Sequence, residues 1–222
     1  MTVNQSRSGL QTQQECDVSD ITLGKPNETA NSGLFFRRWL RNPLQMGSII
    51  PSSPALCRRI AAAVVRGPEE FVLELGAGTG VISRALLAAG VPANKLIVVE
   101  IVPEMADFLR ESLPGVNVIC GDAFNLKEAL PPYMHHSIGT AICGIPLVLL
   151  PLERQQAFVD AVEAVAPGKG FLLYTYCITS PLPYGKLHMD ARRMAWTPLN
   201  FPPASVWRYR PERAGGMAHG AT

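Results

Sequence analysis

Phe71-Val-Leu-Glu74-Leu-Gly76-Ala-Gly78-Thr-Gly80 is the stretch whose reading decides the fold. An apolar run broken by one acid reads as a strand buried on both faces. Glycines at every second position then let the backbone turn tightly and approach a ligand closely. The turn opens onto residues 79–89, which carry helical spacing. Strand, glycine-rich turn and helix in that order start an α/β domain that binds its ligand at the carboxyl edge of the sheet.

The alternation continues downstream. Strands are predicted over residues 96–100, 116–120, 138–143 and 171–176, with helices over 103–113 and 153–165. Residues 193–199 and 204–210 flank Asn200-Phe-Pro-Pro203 and read as a closing hairpin. Alternation implies parallel strands joined by right-handed crossovers, and the hairpin adds antiparallel strands. The expected fold is α/β and Rossmann-like: a seven-stranded, mostly parallel sheet with helices on both faces and an N-terminal helical extension. Upstream, Ser32 caps a first helix that Asn42-Pro43 stops, and Ser53-Pro54 opens a second that runs to about Val65. The organisation expected is a polar tail over 1–31, helices within 32–66, the catalytic domain over 67–213 and a second tail over 214–222.

Among the 222 residues, 47% are apolar and 17% charged, enough for a real core and against global disorder. The net charge of +2 says little about partners, but its distribution says more. Between Thr29 and Pro68 there are six arginines and no acid. Cys16, Cys57, Cys120, Cys143 and Cys177 are odd in number and never form a C-x-x-C pair, which argues against a disulfide scaffold or zinc ribbon. The first 30 residues lack an apolar signal region, and the uncharged stretch over 138–152 is too short to span a bilayer. A cytoplasmic, soluble or peripheral protein is expected. His135 and His136 stand in a loop without a third partner at metal spacing, so no metal is expected.

Three acids stand at three successive strand ends. Glu74 precedes the glycines, Glu100 ends the second strand and can hold two ribose hydroxyls, and Asp122 follows the third. Asp122 can accept an adenine amino group, and Phe124 can pack on the ring. A Gly-x-Gly-x-Gly turn preceded by an acid repels a pyrophosphate and suits a ligand with an amino-acid end, which points to S-adenosyl-L-methionine over a dinucleotide. Beside it, Cys143-Gly-Ile145-Pro146-Leu147 ends the fourth strand. Nucleobase amino-methylating enzymes carry an Asn or Asp and an aromatic there; Cys143 and Leu147 make a flat base a poor fit. Cys143 also reads as a small core residue. Tyr174 and Tyr176 share a face at the end of the fifth strand. They read either as ordinary β packing or as an amine pocket, where an aromatic face stabilises a cation and a hydroxyl orients the amine or takes its proton.

The chain resembles the bacterial class I phospholipid N-methyltransferases, which methylate phosphatidylethanolamine towards phosphatidylcholine, and related ornithine-lipid enzymes. The resemblance covers about residues 33–212. It rests on Phe36-Arg-Arg-Trp39-Leu-Arg-Asn-Pro43, Gly47-Ser-Ile-Ile-Pro51-Ser52-Ser53, the glycine turn, Gly144-Ile-Pro146-Leu, Tyr174-Thr-Tyr176 with Ser180-Pro181, and Val206-Trp-Arg-Tyr-Arg210. Cys143 and Cys177 depart from its pattern. The resemblance implies cofactor contacts along Glu74, Gly76, Ala77, Gly78, Gly80, Glu100, Ile101, Asp122, Ala123, Phe124 and Cys143. It implies an amine pocket at Tyr176 and Tyr174, with Ile145 and Pro146 on the substrate side. Arg37, Arg38, Trp39 and Arg41 form a short basic, aromatic segment suited either to an anionic membrane surface or to a lid over the sheet. The partners expected are that membrane and an aminophospholipid, with no nucleic acid and a monomeric chain. The competing readings are an rRNA adenine dimethyltransferase, which the basic patches favour, and a non-enzymatic binding protein.

Overall fold

The computed structural model describes residues 52–176, 180–200 and 202–212. The first predicted helix, both tails and Cys177 lie outside them. Strands β1 (Phe71–Leu75), β2 (Leu96–Glu100), β3 (Asn117–Cys120), β4 (Ile138–Cys143), β5 (Phe171–Thr175), β6 (Met189–Thr197) and β7 (Ala204–Pro211) form one sheet in the order β3-β2-β1-β4-β5-β7-β6. β1 to β5 run parallel, and β7 lies antiparallel between β5 and β6. The order reverses between β1 and β4, and such a switch point opens a crevice at the carboxyl ends of the strands.

Helices α1 (Pro54–Ala63), α2 (Val81–Ala88) and α3 (Pro103–Ser112) contribute Leu56, Ile60, Leu86 and Leu109 to the core on one face. A short turn, α4 (Leu126–Ala129), and α5 (Leu152–Val165) fill the other, through Leu126, Phe158 and Val162. Phe158 lies edge-on to both Phe124 and Phe171, and Phe171 stacks on Tyr209 at 5.3 Å between ring centroids. Each fully buried side chain of this size contributes about 1.5–3 kcal/mol.

The local signals are realised where they are strong. Ser53 caps α1, its Oγ accepting from the Leu56 N–H at 3.2 Å, with Pro54 in the first turn. Several limits differ from the sequence reading by one to four residues, and for three elements the cause is visible. α1 ends at Ala63 because Thr140 on β4 takes Val65 at both ends, donating to its carbonyl at 2.6 Å and accepting from its N–H at 3.1 Å. α2 starts at Val81, since Gly80 before it is left-handed at φ 75°. β6 begins at Met189, not Arg193, and ends at Thr197. An irregularity between Arg193 and Ala195 breaks the two-residue alternation by which a strand is recognised.

Candidate active site

The glycine turn is a built cradle. Gly76, Gly78 and Gly80 all have positive φ, at 75°, 56° and 75°. A Cβ on Gly80 would meet Leu109 Cδ2 at 2.7 Å, so the turn sits tightly on α3. A Cβ on Gly78 would meet nothing within 4 Å, so space stands open above the middle of the turn. On the other side the loop after β4 presses in: Gly144 donates to Leu75 O at 2.8 Å, and a side chain there would run into the Gly76 carbonyl.

The three acids reach the same edge in different states. Glu74 is buried on the α1–α2 face, and its Oε2 accepts from Ser83 Oγ at 2.6 Å. Burial, opposed by the Ser83 hydrogen bond and reinforced by Glu100, pushes its carboxyl up to about 7. Glu100 is also buried, and its two oxygens accept from Gly78 N–H and Val102 N–H, each at 3.1 Å. Burial raises its pKa against those bonds. Glu100 therefore braces the glycine turn from the neighbouring strand. Asp122 Oδ1 accepts from the Phe124 N–H at 2.9 Å, a local turn that sets the loop after β3. Ile101 is half-buried beside Glu100, and Ala123 belongs to the core.

Phe124 is packed more fully than the sequence suggested. The Arg154 guanidinium lies over its ring, 4.2 Å from the centroid, and Phe158 meets it edge-on. Cys143 is buried in the core, its thiol 3.4 Å from Ile145 O, and burial drives its pKa far above the ordinary thiol value. Ile145 and Leu147 are buried as well, and Pro146 is half-buried between them. His135 and His136 precede β4, at the amino end of the sheet and away from this edge.

Tyr174 and Tyr176 stand on the same face as Glu74, packed with α1. Burial first, then the Glu74 charge, raises the Tyr174 phenol well above its usual value. Burial also raises Tyr176, against a hydrogen bond to Ser52. Both phenols stay protonated at neutral pH. Cys57 completes this group: it is buried, packs on the same cluster, and burial and Glu74 raise its thiol pKa. Ser52, Cys57, Ser83 and Arg154 escaped the sequence reading. Ser52 alone had a signal, in the Pro51-Ser-Ser segment. The segment with Arg37, Arg38, Trp39 and Arg41 lies outside the described residues.

This set of acids fits a ligand with a cationic amino-acid end, a ribose and a base; the one guanidinium described at the turn, Arg84, is held by the Thr79 carbonyl at 2.6 Å. Residues 72–168 match the methyltransferase domain family. Ornithine lipid N-methyltransferase of Singulisphaera acidiphila is 27% identical over 180 residues, which span 78% of this chain and 93% of that protein. The chain is an S-adenosylmethionine-dependent methyltransferase. Among solved structures, the methyltransferase resembles Burkholderia thailandensis 1,6-didemethyltoxoflavin-N1-methyltransferase, which holds S-adenosylhomocysteine. The TM-score is 0.58 at 16% identity, covering 89% of this chain and 98% of that one. It also resembles the 23S rRNA methyltransferase ErmE, at TM-score 0.52 and 21% identity, over 76% of this chain and 71% of that one. At these identities both likenesses speak to the fold.

Proposed function

We propose that this methyltransferase acts on the amine headgroup of a membrane lipid, converting phosphatidylethanolamine towards phosphatidylcholine. The observation that carries the reading is the similarity to an ornithine lipid N-methyltransferase along nearly the whole of that protein. The same similarity favours an ornithine-lipid headgroup as the second reading. S-adenosylmethionine supplies an electrophilic methyl group whose leaving group is a neutral thioether. The chain then has to bind, orient and exclude water. Glu74 faces the donor's amino-acid end, Glu100 its ribose and Asp122 its base. Tyr174 and Tyr176 present aromatic faces and protonated hydroxyls to the amine, which holds it in line and stabilises the positive charge that grows on nitrogen. Water or buffer takes the proton from the incoming ammonium, since both phenols are held protonated.

The buried position of Leu147 supports this reading over an RNA base, because no aromatic plane stands at that point of the loop for a base to stack on. The segment with Arg37, Arg38, Trp39 and Arg41 is proposed to meet the cytoplasmic face of the membrane. The test is transfer of a tritiated methyl group to phosphatidylethanolamine vesicles, ornithine-lipid vesicles and ribosomal RNA. Lipid labelling well above RNA labelling is expected, and its headgroup selects between the two lipid readings. RNA labelling at an equal or higher rate overturns both.

A further inference from the structure

Large apolar side chains stand exposed around the carboxyl edge of the sheet, on its substrate half. The tip of the β6–β7 hairpin holds Leu199 at 75% exposure, and Trp196 beside it is 49% exposed. Directly after β4, Val148 and Leu149 are 45% and 50% exposed, and Leu152 opens α5. Thr197 pairs with Ala204, and Ser205 pairs with Thr175 at the end of β5, so the hairpin tip lies at the same edge as the loop after β4. Three strand spacings separate β4 from β6, about 14 Å.

This tip is built, not loose. Asn200 is buried; its Oδ1 accepts from the Ser53 N–H at 2.9 Å and its Nδ2 donates to Pro202 O at 3.0 Å. The Leu199 N–H donates to Thr197 Oγ1 at 3.3 Å. A tip braced on the cap of α1 yet holding a leucine out in water is a feature that packing does not explain. The surrounding charge is mostly positive. Arg58 and Arg59 are exposed in the first two turns of α1, which carries no acid, and Arg192 and Arg193 are exposed on β6. Glu153, beside Leu152, and Asp190, near the start of β6, are exposed acids on the same elements.

We infer that this rim, with Leu199 and Trp196 at its leading point, is the face that inserts into an anionic lipid bilayer and brings the site to its headgroups. An apolar, aromatic tip on a strand and against a helix that both carry exposed arginines suits the boundary between acyl chains and anionic headgroups. The inference rests on the lipid reading of the site, and it adds a contact within the β6–β7 hairpin to the one assigned to the N-terminal segment.

The test is sedimentation of the full chain with vesicles of phosphatidylcholine and phosphatidylglycerol, which contain no amine headgroup to methylate. Leu199→Asp is expected to lower the partition coefficient about tenfold or more. Leu199→Trp is expected to raise it, and Tyr133→Asp, equally exposed but at the amino edge, to leave it unchanged. Unchanged partition for Leu199→Asp, or an equal loss for Tyr133→Asp, overturns the inference. Should Leu199→Asp fail to fold, judged by thermal melting, Leu199→Trp decides: tighter partition supports the rim, and none overturns it. A chain that sediments in this pattern yet methylates no lipid keeps the rim and refutes the lipid reading.

Discussion

Glu74, the acid that opens the glycine turn, accepts a 2.6 Å hydrogen bond from Ser83 on the first turn of α2. The contact ties strand to helix across the turn and gives a buried carboxyl one partner, too little to offset its desolvation. Its pKa of about 7 against 4.5 when free has two consequences.

The first concerns stability. A carboxyl whose folded pKa is raised binds its proton more tightly in the folded state. Its favourable contribution is complete below about pH 4.5 and is lost as pH rises through about 7. The ligand-free protein is expected to lose up to about 3 kcal/mol from this group between pH 4.5 and pH 8. Glu74→Gln should flatten that slope in urea melts recorded across the range. A slope unchanged in the variant would assign the effect to another group.

The second concerns the donor. A cationic amino group bound near Glu74 favours the carboxylate, so binding at pH 6.5 is expected to release a proton. Calorimetry in buffers of different ionisation enthalpy reads this directly. Wild type should release a fraction of a proton and Glu74→Gln none; equal release in both would remove Glu74 from the donor site.

Glu100 braces the glycine turn and is proposed to hold the ribose, and its loss should show both. Glu100→Ala leaves the Gly78 and Val102 N–H groups without their acceptor. In its proposed role it would also remove charge-assisted bonds to ribose, each worth about 1.5–3 kcal/mol. The expected outcome is donor affinity down by tenfold or more together with a lower melting temperature for the free protein. Unchanged calorimetric affinity would refute the ribose assignment.

Gly144→Ala tests the loop against the turn. The added methyl runs into the Gly76 carbonyl, a backbone group that cannot swing aside. Overpacking of this kind costs about 1–3 kcal/mol. Both stability in urea and donor affinity should fall. A variant with wild-type values for both would show that the loop moves freely.

Tyr174→Phe and Tyr176→Phe separate orientation from proton removal. Loss of one hydrogen bond predicts a kcat two- to tenfold lower. The pH profile of kcat should keep its shape below pH 10 in both variants, because the phenols are already protonated there. Disappearance of a basic limb in either variant would make that tyrosine the base.

The strand–turn–helix at residues 71–88 was legible because each element is set by neighbours in the chain: an apolar run, glycines free to take positive φ, and a helical stripe. The limits of β1, β2 and β4 follow from such runs, and the cap of α1 from Ser53-Pro54. The acids at three strand ends were legible for the same reason, since alternation puts them at one edge. What joins them was not. The Glu100–Gly78 bond, the Thr140 hold on Val65 and the Asn200 brace on Ser53 link residues 22, 75 and 147 positions apart. Local periodicity carries no information about such pairs. They form only when the sheet has closed and desolvation makes every unpaired polar group costly. The same closure sends Cys143 and Leu147 into the core, covers Phe124 with Arg154, and leaves Leu199 in water.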